Sequence, residues 1–193
     1  HINIIGNDNY ADAELMDLMS LKTPGVWTLF TKDDQYSREK LTADLENIRS
    51  HYLNKGYVLF NIESTQVAIS PDKTSVFITI NLVEGEEFKI GKVSIAGQYE
   101  VDDADIWGLV GESSGQVFSR KSLVNAAADV RQLFGDNGFA FAEVQPVPLV
   151  NEVQKTVDVQ YQIRSGKRTY VRRRNHSGNS RTSADVWRRG VRQ

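Results

Sequence analysis

An internal repeat constrains what this chain can fold into more than any other feature of its sequence. The segment Tyr36–Leu41 resembles Phe118–Leu123, and Asn54–Tyr57 resembles Asp136–Phe139 at the same spacing along the chain. We therefore expect two copies of one domain, each with the same order of helices and strands. A chain of 193 residues is long enough for two such domains, and its hydrophobic fraction of 40% is typical of globular proteins.

Each copy is predicted to begin with one strand and to end with two. The first strands are alternating apolar runs that stop at Gly6 and Gly97. The last strands are predicted over residues 75–83 and 156–164, where apolar and polar residues alternate. This alternation is typical of a sheet that buries one face and leaves the other face open.

Two helices are predicted after the first strand of each copy. A short helix over residues 12–19 or 102–110 is indicated more weakly than the long helix that follows it. The long helix is expected to start at a capping serine and to end at a glycine, and these are Ser37 and Gly56 in one copy and Ser119 and Gly138 in the other. Its predicted buried stripe is Leu41, Leu45, Ile48 and Tyr52 in the first copy, and Leu123, Ala127, Val130 and Phe134 in the second.

The predicted fold class is α+β, with tandem domains of order β-α-α-β-β. Each domain is expected to have a three-stranded mixed sheet that two helices cover on one face. The domains are predicted at residues 1–90 and 91–170, and residues 171–193 are the truncated start of a further copy. In that start, Arg174 and His176 occupy positions where the earlier copies have buried apolar residues. Because burying an unpaired charge is costly, we expect residues 171–193 to be poorly ordered.

Catalytic chemistry is hard to find in this sequence. It contains no cysteine, its 3 histidines are scattered, and it has no glycine-rich phosphate loop. The acidic group Asp102, Asp103 and Asp105 precedes a helix, where carboxylates complement the positive end of the helix dipole. An unrecognised hydrolase would need a pocket with perturbed carboxylates, which no spacing suggests. We therefore expect no enzyme activity, no catalytic residue, no metal site and no cofactor.

The repeats resemble the polypeptide-transport-associated (POTRA) domains of bacterial outer-membrane protein assembly factors. The first copy resembles a third POTRA domain of such a factor, and the resemblance is carried by Ile2–Asn7, Ser37–Gly56, Phe60–Val67, Pro71–Lys73 and Glu84–Gly85. Lys92–Tyr170 resembles a fourth domain, and Val171–Gln193 resembles the start of a fifth. The resemblance covers essentially the whole chain.

The resemblance implies a periplasmic fragment of a longer protein, whose remaining part is an integral β-barrel of the outer membrane. It implies a role in folding and inserting outer-membrane proteins. The implied partners are nascent outer-membrane proteins and the accessory lipoproteins of the assembly complex, especially its β-propeller lipoprotein. Nucleic acid is not an expected partner.

An edge strand of the first copy is the predicted binding site, because an extended partner can add a strand to unpaired backbone groups. The corresponding strand of the second copy contains Pro146 and Pro148, which lack the N–H that such pairing needs. A change in the phase of the side chains near Glu63–Gln66 predicts a β-bulge. The predicted residues for binding clients and partners are Val58, Leu59, Phe60, Asn61, Ile62, Glu63, Ser64, Thr65, Gln66 and Val67.

Two alternatives to this site remain open from the sequence. Both edges could simply be solvated, or the binding surface could be the strongly basic end of the chain. Residues 167–193 have Asp185 as their only acidic residue, so a module that binds anionic lipid or nucleic acid through this end is the alternative function. The edge strand of the first copy could also pair with a second chain, and an edge-strand dimer in crystals would be unsurprising.

Overall fold

The computed structural model describes residues 1–20, 34–72 and 75–168. It has two repeats, each with the predicted order of strand, two helices and two strands. The first repeat contains β1 (Ile2–Ile5), α1 (Asp12–Asp17), α2 (Asp34–Asn54), β2 (Asn61–Ile69) and β3 (Val76–Val83). The second contains β4 (Lys89–Gln98), α3 (Asp103–Val110), a 3-10 turn (Gly111–Ser113), α4 (Arg120–Asp136), β5 (Glu143–Asn151) and β6 (Thr156–Arg164).

Each repeat has its own three-stranded sheet with the last strand in the middle. The strand orders are β1-β3-β2 and β4-β6-β5. The first strand of each repeat pairs with the central strand in parallel, and the remaining strand pairs with it antiparallel. The predicted α+β class with two mixed sheets is confirmed. Each sheet consequently has two outer strands, which are β1 and β2 in the first repeat and β4 and β5 in the second.

The cores form where the helices cover one face of each sheet. The stripe of α4 is fully buried, and the stripe of α2 is buried except for the partly buried Leu45, so both predicted stripes are confirmed. The central strands contribute every second residue to the cores, namely Val76, Ile78, Ile80 and Leu82 in one repeat and Val157, Val159, Tyr161 and Ile163 in the other. The alternating pattern thus arises from one covered and one open sheet face.

The predicted helix ends are only partly correct. Ser119 caps α4, since its side chain accepts from the N–H of Ser122 at 3.3 Å. The corresponding prediction for Ser37 is wrong, because α2 already begins at Asp34 and Ser37 lies inside the helix. Gly56 and Gly138 both follow a long helix with positive φ angles of 93° and 91°, as predicted.

The two repeats join through backbone contacts rather than through a simple linker. Only residues 84–88 separate the end of β3 at Val83 from the start of β4 at Lys89. The N–H of Phe88 donates to the carbonyl of Gly56 at 2.9 Å, and the N–H of Lys121 at the start of α4 donates to Asn54 Oδ1 at 2.8 Å. Val58 packs against the core of the second repeat. The end of α2 is therefore fixed to the start of α4.

The predicted truncated copy, residues 171–193, lies outside the described residues. Within the part of the chain that the structure describes, no helix is long and apolar enough to cross a membrane.

Candidate functional site

Strand β2 forms one outer edge of the first sheet, as predicted. The predicted segment begins too early, because Val58 and Leu59 lie in a turn before the strand. Phe60 is only 4% exposed and belongs to the core, where its ring stacks on Tyr52 with centroids 4.2 Å apart. The part of the predicted segment that a partner can reach along the edge is therefore Asn61–Val67.

The direction of the backbone groups in β2 follows from a hydrogen bond on the other side of β3. The N–H of Ile78 donates to the carbonyl of His1 at 2.9 Å, so the backbone groups of Ile78 point toward β1. Val67 lies opposite Ile78 in the antiparallel ladder, and its own N–H and C=O must point away from the sheet. Because this direction alternates along a strand, Thr65 and Ile69 also present their backbone groups at the open edge.

The predicted β-bulge is present in β2. Ile62 pairs with Leu82 and Ser64 pairs with Asn81, so Glu63 is the extra residue. The side chain of Asn81 donates to Ser64 Oγ at 2.7 Å and fixes the strand just after the bulge. The bulge ends the regular part of the edge, so an added strand can pair in register only beyond Glu63.

A groove of about 360 Å³ lies between α2 and β2. Its walls are Thr42, Leu45, Glu46 and Arg49 from the helix, and Ile62, Glu63, Ser64 and Thr65 from the strand. Leu45 and Ile62 are half-buried and give the groove apolar surface. Glu46 lies 3.8 Å from Arg49 and 3.6 Å from Arg120 of the second repeat, so the charged rim of the groove reaches the neighbouring domain.

Two apolar side chains continue this surface along the edge. Val67 and Ile69 point to the helix-covered side of the sheet, yet they are 44% and 47% exposed. A strand laid beside β2 would bury part of both side chains and bond to the outward backbone groups of the same residues. The arrangement can therefore hold an extended, partly apolar polypeptide segment.

The corresponding strand β5 of the second repeat has a different edge. The N–H of Ser165, the residue after β6, donates to the carbonyl of Gln98 at 3.3 Å. The backbone groups of Ser165, and of every second residue before it along β6, therefore point toward β4. Tyr161 is one of these residues, and Pro146 lies opposite it. Pro146 therefore faces the open edge, as does Pro148 two residues further on. The two prolines remove two consecutive outward N–H donors.

A buried polar cluster near the end of α2 was not predicted from the sequence. Glu84 is 6% exposed, and its carboxylate accepts from the Tyr52 hydroxyl at 2.6 Å and from the backbone N–H and side-chain amide of Asn9. Burial and the bond to Glu84 raise the pKa of Tyr52, and burial raises the pKa of Tyr10 to about 12. The sequence signal was weak, because Glu84 is followed closely by Glu86 and Glu87 and resembles the start of an acidic, solvent-exposed turn. The cluster ties β3 to α2 and to the loop after β1.

His51 lies beside this cluster, where its ring makes edge contacts with the rings of Tyr10 and Tyr52. Its Nε2 is buried without a hydrogen bond and lies 3.7 Å from Glu14 Oε1. Burial lowers the pKa of the imidazole, so the ring is neutral at neutral pH. In residues 1–20, 34–72 and 75–168, no group of three or more His, Asp or Glu side chains is placed to hold a metal ion.

Comparison with known proteins places this architecture in a family. The family model POTRA, described as a surface antigen variable number repeat, matches residues 1–85 and 88–166. The outer membrane protein assembly factor BamA of Neisseria meningitidis is 35% identical over the full length of this chain. The protein of the same name from Buchnera aphidicola is 26% identical over the full length. The chain spans 24% and 31% of the lengths of these two relatives.

The fold also matches a solved structure. A crystal structure of POTRA domains 3–5 of BamA from Haemophilus influenzae covers 100% of this chain with a TM-score of 0.71, at 23% identity, and the match includes 75% of that structure. The predicted resemblance is thereby confirmed. The chain belongs to the POTRA family.

Proposed function

We propose that this chain is a non-enzymatic module of the machinery that assembles β-barrel proteins in the bacterial outer membrane. It acts on the periplasmic side of that membrane, binds nascent outer-membrane proteins and docks accessory lipoproteins, above all the β-propeller lipoprotein. Membership of the POTRA family supports this role, and so do relatives over the whole chain that are named as outer membrane protein assembly factors.

The open edge of β2 is the proposed binding site, and one observation carries it. Thr65, Val67 and Ile69 present outward backbone groups that pair with no strand of the described residues, beside exposed apolar side chains and a groove. An extended client can add to this edge as a fourth strand. Backbone hydrogen bonds carry little sequence information, which suits a module that must accept many different β-strands.

The bulge at Glu63 limits this edge to a short register. A client that pairs with Thr65, Val67 and Ile69 cannot continue past Glu63 without a break in the ladder. Its side chains on the helix side lie beside Val67 and Ile69, and those nearest Thr65 reach the end of the groove, while the side chains on the other face of the sheet face solvent. We therefore expect a preference for segments in which apolar and polar residues alternate, as they do in membrane β-strands.

A proline at position 67 tests the site. Val67→Pro removes one outward N–H and leaves the ladder to β3 intact, since Val67 does not bond to that strand. Loss of one hydrogen bond is worth about 1 kcal/mol, so we expect affinity for an uncharged, alternating peptide to fall by about fivefold or more. Amide chemical shifts of the isotope-labelled chain measure binding and show whether the variant is folded.

Val67→Thr is the matched control, because it keeps the N–H and a β-branched side chain. We expect its affinity to remain close to that of the wild type. Binding by the edge should also change little with salt, whereas binding through the basic residues 167–193 would weaken steeply. Equal affinity of the proline and threonine variants would contradict the proposed site.

A further inference from the structure

The first strand of the second repeat offers another accepting edge. Because Pro146 and Pro148 block β5, this repeat would act only as a spacer if β5 were its only edge. Its sheet has a second outer strand, β4, on the far side. We infer that β4, over Val93–Gln98, accepts an extended, uncharged polypeptide segment as an added strand. This inference rests on the strand-addition mechanism proposed for β2 and assigns a second site for the same class of client.

The outward groups of β4 are fixed by the same reasoning as those of β2. The carbonyl of Gln98 accepts from the N–H of Ser165, the residue after β6, so the backbone groups of Gln98 point toward β6. Alternation makes Val93, Ile95 and Gly97 present their N–H and C=O at the open edge. Among the described residues, no strand pairs with β4 on that side.

The chain itself already uses the beginning of this edge. The segment Gly115–Phe118 runs antiparallel to the start of β4, where the N–H of Ile90 donates to the carbonyl of Gln116 at 2.7 Å. The N–H of Phe118 donates to the carbonyl of Phe88 at 2.9 Å. This internal segment lies beside residues 88–90 as an added strand would, at the start of the same edge.

A bulge keeps the remainder of the edge available. Ile90 pairs with Val157 and Val93 with Val159, so β4 holds one extra residue between them. The backbone groups of Ile90 point outward, away from β6. Because of the extra residue, those of Val93 also point outward. The internal segment covers the edge only as far as Gly91, whose carbonyl accepts from Ser114 Oγ at 2.8 Å.

The chemistry of this edge indicates what it binds. Natural edge strands are usually protected by charge, proline or a covering element, but Val93–Gln98 contains neither a charged residue nor a proline. Val93 and Ile95 are half-buried on the helix side, and the small Ser94 and Ala96 are on the open face. An added strand with apolar residues beside Val93 and Ile95, and small or polar residues beside Ser94 and Ala96, matches both faces.

The occupant is a foreign segment rather than a second copy of this chain. Three outward residues give room for a short strand pair, which stays below the roughly 1,000 Å² that a stable protein interface buries. A transient client needs no more than this. Position 97 requires glycine, because its φ is 132° and a Cβ there would lie 1.9 Å from the carbonyl oxygen of Ile163.

Amide hydrogen exchange of the wild-type chain tests the inference directly. The probe is a short, uncharged peptide in which valine or leucine alternates with threonine or asparagine. At about ten times the dissociation constant of the peptide, we expect exchange at Val93, Ile95 and Gly97 to slow about tenfold. Exchange at Ser94 and Ala96, which already bond to β6, should not change. Absence of this alternating protection would overturn the inference.

Two proline variants separate this site from the one at β2. In Val67→Pro, we expect protection at Val93 and Ile95 to persist, while Ile95→Pro should abolish it and leave shifts around Val67 intact. Ile95→Ala controls for the packing that position 95 loses. If Val67→Pro removes all binding, the β4 site is wrong and the proposed function stands. If only Ile95→Pro reduces binding, the β2 site is wrong and the inference about β4 stands.

Self-pairing is the remaining outcome. If the free chain forms dimers at micromolar concentration that Ile95→Pro dissociates, a second copy occupies the edge and the inference of a foreign client is wrong. Should Ile95→Pro not fold, the exchange pattern of the wild-type chain decides the question alone.

Discussion

Strands β2 and β5 occupy the same place in the same fold, yet their edges are built in opposite ways. At β2 the outward positions Thr65, Val67 and Ile69 keep their N–H donors, and two of the side chains are exposed and apolar. At β5 the outward positions include Pro146 and Pro148, which have no N–H to offer. The difference between the repeats therefore concerns which edge can accept a strand, while the cores remain alike.

A sheet edge can be changed while the pairing within the sheet stays regular. Both prolines lie at positions whose N–H plays no part in the ladder, so the pairing of β5 with β6 stays complete over Glu143–Asn151. The bulge in β2 at Glu63 likewise alters the edge but leaves the register beyond it regular. Edge chemistry can consequently differ from repeat to repeat within a constant architecture.

Substitution of the residue that follows the central strand is expected to have the largest effect on stability. This residue is Glu84 in the first repeat and Ser165 in the second, and both are buried. Glu84→Ala leaves the Tyr52 hydroxyl and two donors of Asn9 without their acceptor, and we expect it to destabilise the first repeat by about 3 kcal/mol. Denaturant unfolding followed by amide signals of each repeat measures this loss.

The matched variant in the second repeat is Ser165→Ala. Its hydroxyl makes bonds of 3.3 and 3.4 Å to the carbonyls of Gln98 and Gly166, so we expect a loss of about 1 kcal/mol or less. Glu84→Gln, which keeps an acceptor for Tyr52, should lie between the two alanine variants. A Glu84→Ala protein as stable as the wild type would show that the buried cluster contributes nothing to the first repeat.

Restoring backbone N–H donors to the outer edge of β5 is expected to have the next largest effect, on peptide binding. Pro146→Val with Pro148→Val returns two outward N–H groups, each worth about 1 kcal/mol in a hydrogen bond. We expect the double variant to bind an uncharged, alternating peptide along β5, with chemical shift changes there that the wild type lacks. Pro146→Ser with Pro148→Ser separates restored donors from added apolar surface. If neither variant binds at β5, missing donors are not what distinguishes the two edges.

Most of this fold could be predicted because its signals are local. The spacing of apolar residues predicted the long helices and the central strands, and each pattern occurs in both repeats. The β-bulge was predictable because the apolar residues change from even positions up to Ile62 to odd positions from Val67 onward. These features depend on side chains within a few residues of one another.

The features that could not be predicted depend on pairing between distant segments. The start of β4 at Lys89 and its cover by Gly115–Phe118 come from contacts that no local pattern reports. The same holds for the cluster around Glu84, whose partners come from α2 and from the loop after β1. At the candidate site, Val58–Phe60 were predicted to be part of the edge strand, because their alternation of apolar residues continues into β2. In the structure Phe60 is in the core and Val58 meets the next repeat.

The smallest expected effect is a difference in acid sensitivity between the repeats. Burial lowers the pKa of His51, the neighbouring Glu14 opposes this shift, and Lys55 adds to it. The unfolded chain therefore binds a proton near the ordinary histidine pKa of about 6.5, while the folded first repeat binds it only at lower pH. Stability of this repeat is full above about pH 6.5 and declines as the pH falls toward the folded pKa.

The second repeat supplies the internal control, because residues 86–168 contain no histidine. We expect amide exchange between about pH 7.5 and pH 5.5, corrected for its intrinsic pH dependence, to show a loss of stability in the first repeat only. His51→Gln should remove the loss, since the buried ring then has no proton to gain on unfolding. An equal loss in both repeats, or a loss that survives His51→Gln, would assign the acid sensitivity to carboxylates that the two repeats share.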